Sequence, residues 1–274
     1  SGPQAGKTLA EVLEEHPEYL GRRHKGASSL PILVKFIDAK QDLSVQVHPD
    51  DRYAQAHEGG QLGKTEMWYV LDAGKQTKLV YGLKQDATPE TILRAARQGT
   101  LMGLLQQVPI QKDDVFFLEP GTIHALGAGA LVAEIQESSN LTYRLYDYDR
   151  VDKQGKKRPL HLEKALAVAD LHSSAAPRQP MRVLRYRPGV ASELLCRRKY
   201  FEVYRMLLNT ERRQQVSYQA DALAFRVLLC VAGCGSIRFG QETLLFYKGD
   251  CVFVPAFSKC LTLHGQAQFL DIRG

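Results

Sequence analysis

Short runs in which apolar and polar residues alternate dominate the chain from residue 32 onward. Because successive side chains of a β-strand point to opposite faces, this pattern predicts strands. Gly, Pro and Asp separate the runs at intervals typical of a sandwich or barrel. The predicted strands of the first half are 32–37, 43–48, 67–71, 77–83, 115–118, 131–135 and 142–148, and those of the second half are 183–186, 201–208, 225–231, 236–239, 243–247, 252–254 and 269–272.

A few segments carry helix signals instead. A capping box at residues 8–11 opens a short helix that stops at Pro17. Further helices, marked by end signals or by apolar spacing, are predicted over 88–96, 101–107 and 161–169. The sequence therefore predicts an all-β protein with added helices.

A polar, proline-rich stretch at 173–180 lacks any periodicity and is the best linker candidate. It divides the chain into two β-rich halves. We predict a metal-binding domain over 1–172 with a helical insertion at about 88–107, and a C-terminal domain over 181–274 without a metal site.

Composition and charge narrow the class of protein. The 274 residues are 44% apolar and 24% charged, which is typical of a globular protein. The formal charge of +6 is not gathered into one long basic run, which favours a small anionic partner over nucleic acid. No apolar run is long enough to span a bilayer, so no membrane partner is expected. Five cysteines without a C-x-x-C pair predict reduced, mostly buried thiols in a cytoplasmic protein.

Four polar residues form a candidate metal site. Gln46 and His48 share one face of the predicted strand 43–48. Glu66 stands at the start of the next apolar run, and His124 follows a Pro-Gly turn. Two imidazoles, a carboxylate and an amide oxygen suit Zn²⁺ or a similar divalent ion.

The two halves share one segment and then diverge. Residues 113–121 and 248–256 both combine an acidic turn, a short apolar strand and a proline, which indicates duplication. The second copy continues to Lys259 where the first reaches His124, and His264 has no Gln-x-His partner run. We therefore expect no metal in the second half.

Four motifs together resemble a known family. They are Gln-Val-His-Pro-Asp at 46–50, Gly-Lys-Thr-Glu-Met at 63–67, Pro-Gly-Thr-Ile-His-Ala at 120–125 and Glu-Ile-Gln-Glu-Ser-Ser-Asn at 134–140. Their types and order resemble the cupin fold and, more closely, the short bacterial branch of the type I mannose-6-phosphate isomerases. The resemblance spans most of the chain and implies a double cupin.

The resemblance also implies a reaction and a cofactor. It makes Gln46, His48, Glu66 and His124 the ligands of one Zn²⁺ per chain, held in the N-terminal cupin. The reaction it implies interconverts mannose 6-phosphate and fructose 6-phosphate through a cis-enediol. Members of the family carry a further β-rich segment ahead of the helix at Thr8, so we expect this sequence to lack an N-terminal portion.

Three charged residues are candidates for catalysis. Arg144 follows a segment that resembles the family's catalytic arginine segment, and its planar charge suits an enediolate or phosphate oxygen. Lys64 shares the strand face of Glu66, so it could assist ring opening. Glu134 is the preferred proton-transfer group, with Asp147, Asp149 and His57 as alternatives.

Each of these residues also has a structural interpretation. Lys64 and Glu134 could be solvated charges, and Arg144 could pair with Asp147 or Asp149. No P-loop is present, so discrete cations must hold the phosphate. The candidates are Arg144, Arg150, Lys153 and Arg158.

Two other functions stay open at this point. One is a non-catalytic bicupin that binds or senses a sugar phosphate. The other is a metal-dependent cupin oxygenase, which is disfavoured because Gln46 replaces an imidazole that iron sites commonly use. The sequence carries no signal of the oligomeric state.

Overall fold

A computed structural model describes residues 2–27, 29–175, 177, 179–212 and 214–274. The described residues form mainly β-strands, which confirms the predicted all-β class with added helices. The chain divides into two compact units. The first unit is Leu33–Gln179, and the second unit combines Ser1–Ile32 with Pro180–Gly274.

The described residues contain four α-helices: α1 (Leu9–Glu15), α2 (Asp51–His57), α3 (Pro89–Arg97) and α4 (Leu162–Val168). Short 3-10 helices lie at Pro17–Leu20, Arg22–His24 and Leu101–Gly103. The first nine strands are β1 (Ile32–Ala39), β2 (Val45–Val47), β3 (Glu66–Ala73), β4 (Lys78–Leu83), β5 (Leu105–Pro109), β6 (Val115–Leu118), β7 (His124–Leu126), β8 (Ala130–Glu137) and β9 (Tyr143–Tyr146). The others are β10 (Arg185–Arg187), β11 (Val190–Arg197), β12 (Glu202–Asn209), β13 (Val216–Tyr218), β14 (Arg226–Phe239), β15 (Glu242–Tyr247), β16 (Cys251–Val254) and β17 (Leu261–Arg273).

The first unit contains two sheets. One has the order β1-β8-β3-β6 and the other the order β5-β4-β7-β2-β9. Apolar side chains of both sheets, such as Phe116 and Leu126, pack in one buried cluster, so the sheets face each other. The other face of the five-stranded sheet packs against α3 and α4, where Ile92 and Ala165 are buried. The polar residues of β2 and β7 therefore point into the space between the sheets.

Most predicted helices are confirmed, but two segments differ. The prediction of a helix over 101–107 is wrong beyond Gly103, because the chain turns there and pairs with β4 as strand β5. An edge strand with buried and exposed residues in alternation replaces the second half of that helix. Helix α2 was not predicted; Asp50 caps it by accepting a hydrogen bond from the Tyr53 N–H at 2.7 Å.

The second unit is built on one sheet with the order β10-β11-β12-β17-β14-β15. It also contains Ser1–Ile32, which the sequence analysis assigned to the first domain. Backbone hydrogen bonds explain the difference: Arg22 donates to Ala222, and Phe225 donates to Leu20. Gly21 lies at a φ of 91°, and a Cβ there would meet the Leu223 carbonyl at 2.6 Å, so only glycine allows this close approach.

All five cysteines are free, but the expectation that they are mostly buried is wrong. Cys196 and Cys230 are buried, whereas Cys234, Cys251 and Cys260 are exposed. An apolar strand buries only the side chains of its inner face, and sequence alone does not say which face that is. Among the described residues, no helix combines the length and apolarity needed to cross a membrane.

Candidate metal centre

His48, Glu66 and His124 meet between the two sheets of the first unit. One ligand atom from each lies within 4.8 Å of the others, and all three residues are buried. His124 Nε2 lies 3.2 Å from one Glu66 oxygen, and His48 Nε2 lies 3.6 Å from the other. Atoms about 2.1 Å from a tetrahedral zinc ion lie roughly 3.4 Å apart, so the separations fit a shared ion.

A tight turn and one backbone carbonyl orient His124. Gly121, at a φ of 89°, donates its N–H to the His48 carbonyl at 2.9 Å and so ties the turn to the other histidine. The Thr122 carbonyl lies 2.8 Å from His124 Nδ1 and accepts its proton. The lone pair of His124 is thereby left on Nε2, the atom that faces Glu66.

Gln46 borders this cluster. It lies opposite His124 in the β2–β7 register, and its Nε2 is 3.3 Å from His124 Nε2. A half-turn of the amide would bring its oxygen, the cation-binding atom, to the same place. The structure therefore brings together all four residues that the sequence nominated.

The buried atoms of the cluster lack ordinary partners. Within the described part of the chain, both nitrogens of His48 are buried with no hydrogen bond of normal geometry, and the buried Glu66 oxygens lie close only to Lys64 and the two histidines. Burying unsatisfied polar atoms costs free energy, and a cation among them would remove that cost. The donor set thus fits a divalent metal ion.

The protonation states of His48 and Glu66 also suit a metal site. Burial lowers the pKa of His48 well below its ordinary value, so the imidazole is neutral. Burial alone would raise the pKa of Glu66, but the hydrogen bond from His124 and the positive charge of Lys64 act in the opposite direction, and the pKa lies below its usual range. A neutral imidazole and an ionised carboxylate are the forms that bind metals.

Lys64 is buried beside the cluster and is not a solvated charge. Its side chain is 5% exposed, and its Nζ lies 2.9 Å from a Glu66 oxygen. Its backbone N–H donates to the Pro49 carbonyl at 3.0 Å, which holds the residue just ahead of β3. The centre thus contains an ammonium group next to the carboxylate.

Glu134 is also buried. One of its oxygens accepts a hydrogen bond from Trp68 Nε1 at 2.9 Å, and the other pairs with Lys35 Nζ at 3.1 Å. The Trp68 ring in turn stands edge-on to His124, with 5.4 Å between ring centroids. Neither Trp68 nor Lys35 was predicted from the sequence to lie beside these residues.

Arg144 lies on the same sheet as Gln46 and opposite it in register. Its guanidinium donates to the Ser44 hydroxyl at 3.3 Å and to the Pro159 carbonyl at 2.9 Å. The ion pairs considered for it are not observed, because Asp147 pairs with Arg150 and Arg158 instead. Among the described residues, Arg144 therefore has no carboxylate partner within ion-pair distance.

The other candidates for the base have different surroundings. Burial alone would raise the pKa of Asp147, but Arg158 and Arg150 hold it below its usual range. Asp149 is exposed and pairs with Lys157 at 2.6 Å. His57 is exposed at the end of α2 and lies against the Tyr53 ring. Of the remaining phosphate candidates, Lys153 is exposed.

Comparison with known proteins gives two matches to family models. The model "Mannose-6-phosphate isomerase, cupin domain" matches residues 193–273, and the model "Phosphomannose isomerase type I, catalytic domain" matches residues 2–76. The two matched regions lie in different parts of the chain.

Individual relatives match over nearly the whole chain. "Probable mannose-6-phosphate isomerase GmuF" of Bacillus subtilis is 49% identical over 98% of this chain and 82% of its own length. "Mannose-6-phosphate isomerase ManA" of the same organism is 35% identical over 96% of this chain and 84% of its own length. The crystal structure of the mannose 6-phosphate isomerase from Bacillus subtilis superimposes with a TM-score of 0.88 at 33% identity, covering 99% of this chain and 83% of that one.

Proposed function

Because the chain belongs to the type I mannose-6-phosphate isomerase family, we propose that it interconverts mannose 6-phosphate and fructose 6-phosphate with one zinc ion in the first unit. The expected family and its enzyme class are thereby confirmed. The observation that carries the proposed site is the buried cluster of His48, Glu66 and His124.

The four proposed ligands are His48, Glu66, His124 and the amide oxygen of Gln46. Nitrogen and oxygen donors of this kind suit zinc, and Glu66 is the only anion among them. When bound, zinc supplies a Lewis acid that draws negative charge from the oxygens of the sugar.

The proposed chemistry is the transfer of one proton between C2 and C1. A base takes the C2 proton of the open-chain aldose, the electron pair of that bond forms the C1–C2 double bond, and the carbonyl electrons move to O1, which takes up a proton to give the cis-enediol. O2 then loses its proton and becomes the carbonyl oxygen, while the base returns its proton to C1 and the ketose forms. We assign this role to Glu134, whose carboxylate is buried and fixed by Trp68 and Lys35. A carboxylate accepts about four hydrogen bonds, so both oxygens keep free lone pairs.

Lys64 and Arg144 have supporting roles in the proposal. The Lys64 ammonium, next to Glu66, can give a hydrogen bond to the ring oxygen while the sugar opens. Arg144, which pairs with no carboxylate of the described part of the chain, can stabilise the enediolate or hold the phosphate. Arg150 and Arg158 share the single charge of Asp147, so this region also favours an anion.

We further propose a cytoplasmic setting. All five cysteines are free, and three of them are exposed, which suits a reducing compartment. The proposed partner is the sugar phosphate itself.

A coupled assay on mannose 6-phosphate tests the proposal. The zinc-loaded protein should turn the sugar over, and His48→Ala should reduce the rate at least about 100-fold, since a lost ligand removes the metal. His172→Ala is the matched control, because that histidine is 84% exposed and should leave the rate unchanged. Calorimetric binding of fructose 6-phosphate without any turnover by the zinc-loaded protein would contradict the proposal and identify a sugar-phosphate-binding module instead.

A further inference from the structure

The second unit contains a polar cavity of about 470 Å³. Residues of six strands, β10 to β14 and β17, contribute to its lining. It contains one carboxylate and no histidine among the described residues, so it lacks the donor set of a metal site.

The sequence places polar residues at one end of an apolar core. The core cluster of this unit includes Met206, Leu228 and Phe269. On each of these three strands, the residue two positions away lies on the same face but is polar. The apolar and polar residues of each pair are Met206 and Tyr204 on β12, Leu228 and Arg226 on β14, and Phe269 and Asp271 on β17.

Asp271 is the centre of a buried hydrogen-bond network. It is 6% exposed, and it accepts hydrogen bonds from the Tyr218 hydroxyl at 2.7 Å and from Arg226 Nη1 at 2.9 Å. Burial first, and Asp271 second, raise the pKa of Tyr218 well above its ordinary value, so the phenol stays protonated and donates. Each Asp271 oxygen therefore accepts one hydrogen bond within this network.

Arg226 has donors to spare. Within the described residues its Nε is buried without a hydrogen-bond partner, although only Nη1 is committed to Asp271. The other terminal nitrogen, Nη2, forms no hydrogen bond with a described residue, so an anion in the cavity can accept a charge-assisted hydrogen bond from it. The cavity also offers the neutral groups of Ser192, Ser217 and Gln219.

The charges of the lining favour an anion as well. Arg187 stands exposed at the cavity and forms no ion pair with another described residue. Two guanidinium groups, Arg187 and Arg226, thus face a single carboxylate. A neutral apolar ligand would desolvate these groups without replacing their hydrogen bonds.

We propose that this cavity binds a small anion that carries hydroxyl groups, such as a phosphorylated sugar, with the anionic group held by Arg226 and Arg187. The hydroxyls would bond to the serine and glutamine side chains, and the Tyr204 ring would cover the sugar. This site lies in the second unit and does not depend on the isomerase reaction or on zinc.

Hydrogen exchange measured by mass spectrometry on the full chain locates such binding. With fructose 6-phosphate at up to about 10 mM, peptides that span 216–226 should exchange more slowly, while neutral fructose should have no effect. The same measurement with inorganic phosphate shows whether the cavity recognises the phosphate group alone or the whole phosphorylated sugar. Equal protection would mean that the anion alone suffices, and weaker protection would mean that the sugar hydroxyls also contribute.

Three variants test the residues. Arg226→Lys keeps the charge that Asp271 needs but loses the spare donors, so the affinity should fall at least about 10-fold. Arg187→Ala removes an exposed side chain, so the fold should be retained, and it should weaken binding several-fold with isomerase activity unchanged. Arg238→Ala, an exposed arginine outside the cavity, should behave as wild type. Absence of protection at 216–226, or protection that survives both cavity variants, would overturn the proposal even if the isomerase assignment holds.

Discussion

Trp68 donates a hydrogen bond of 2.9 Å from its indole Nε1 to Glu134, which lies directly opposite it on the neighbouring strand. The same indole ring also contacts His124, with the two rings packed edge to face. One side chain therefore links the proposed base to a proposed zinc ligand. Its role goes beyond packing, because it can fix the direction in which the carboxylate points.

Replacing Trp68 by Phe tests this link. Phe keeps a ring beside His124 but removes the donor to Glu134, and a hydrogen bond to a charged group contributes about 1.5–3 kcal/mol. We expect kcat to fall about 10-fold or more with bound zinc unchanged, as measured by steady-state kinetics and metal analysis. Phe116→Leu, which truncates the buried ring opposite Trp68, is the control for lost packing. An unchanged kcat in Trp68→Phe would contradict the assigned role.

The metal cluster could be predicted from sequence because each ligand carries a local signal. Gln46 and His48 alternate on a strand, and His124 follows a Pro-Gly turn. Lys35 carries no comparable signal, since its partner Glu134 lies 99 residues away and only the sheet register brings them together. Long-range pairs of this kind depend on register, which a single sequence fixes weakly.

Parts of the fold were equally hard to predict. The segment 101–107 has helix-like apolar spacing, yet its second half pairs with β4, so tertiary pairing overrides local preference. The N-terminal helix was predicted correctly, but the place of the segment 1–32 in the second unit rests on contacts such as that between Gly21 and the carbonyl of Leu223. Contacts between residues about 200 positions apart produce no periodic pattern in the sequence, so they cannot be predicted from it.

Lys64→Met should separate metal binding from catalysis. The Lys64 ammonium lies 2.9 Å from Glu66 and repels a cation bound there. Its removal should therefore tighten zinc binding at least about 10-fold while turnover falls, as measured by competition with a chromogenic chelator and by the coupled assay. The exposed Lys40→Met is the control, with neither property changed. Weaker zinc binding in Lys64→Met would show that the lysine supports the metal site.

Arg144→Lys tests whether the shape of the cation matters as well as its charge. The guanidinium makes two separate bonds, to Ser44 and to Pro159, that an ammonium cannot reproduce together. We expect kcat/KM to fall about 10- to 100-fold with zinc content unchanged. Arg94→Lys, on the exposed part of α3, should keep wild-type kinetics. Wild-type kinetics in Arg144→Lys would leave the residue without a catalytic role.

Glu137 should make stability depend on pH. Burial raises its pKa to about 7 from the ordinary 4.5, with Asp51 adding to the shift, although the Thr65 N–H donates to it at 2.6 Å. Between these values the unfolded chain has lost a proton that the folded protein keeps, so stability falls as the pH rises through this window. The effect amounts to at most about 3 kcal/mol.

Glu137→Gln keeps the acceptor for Thr65 but cannot titrate. Relative to wild type, its free energy of unfolding in urea should therefore improve by up to about 3 kcal/mol when the pH is raised from about 4.5 to about 8. A chelator should be present throughout so that metal binding does not contribute. Glu163→Gln, an exposed residue of α4, should show no such change. An equal pH dependence in Glu137→Gln and wild type would refute the assignment.

Zinc titration of the metal-stripped protein tests the central claim most directly. Turnover of mannose 6-phosphate should be absent at the start, rise in proportion to bound zinc and reach its maximum at about one ion per chain. His48→Ala should bind no such ion and stay inactive over the same range. Full turnover by the stripped protein, or zinc-dependent turnover that survives in His48→Ala, would contradict the assignment of the centre to His48, Glu66 and His124.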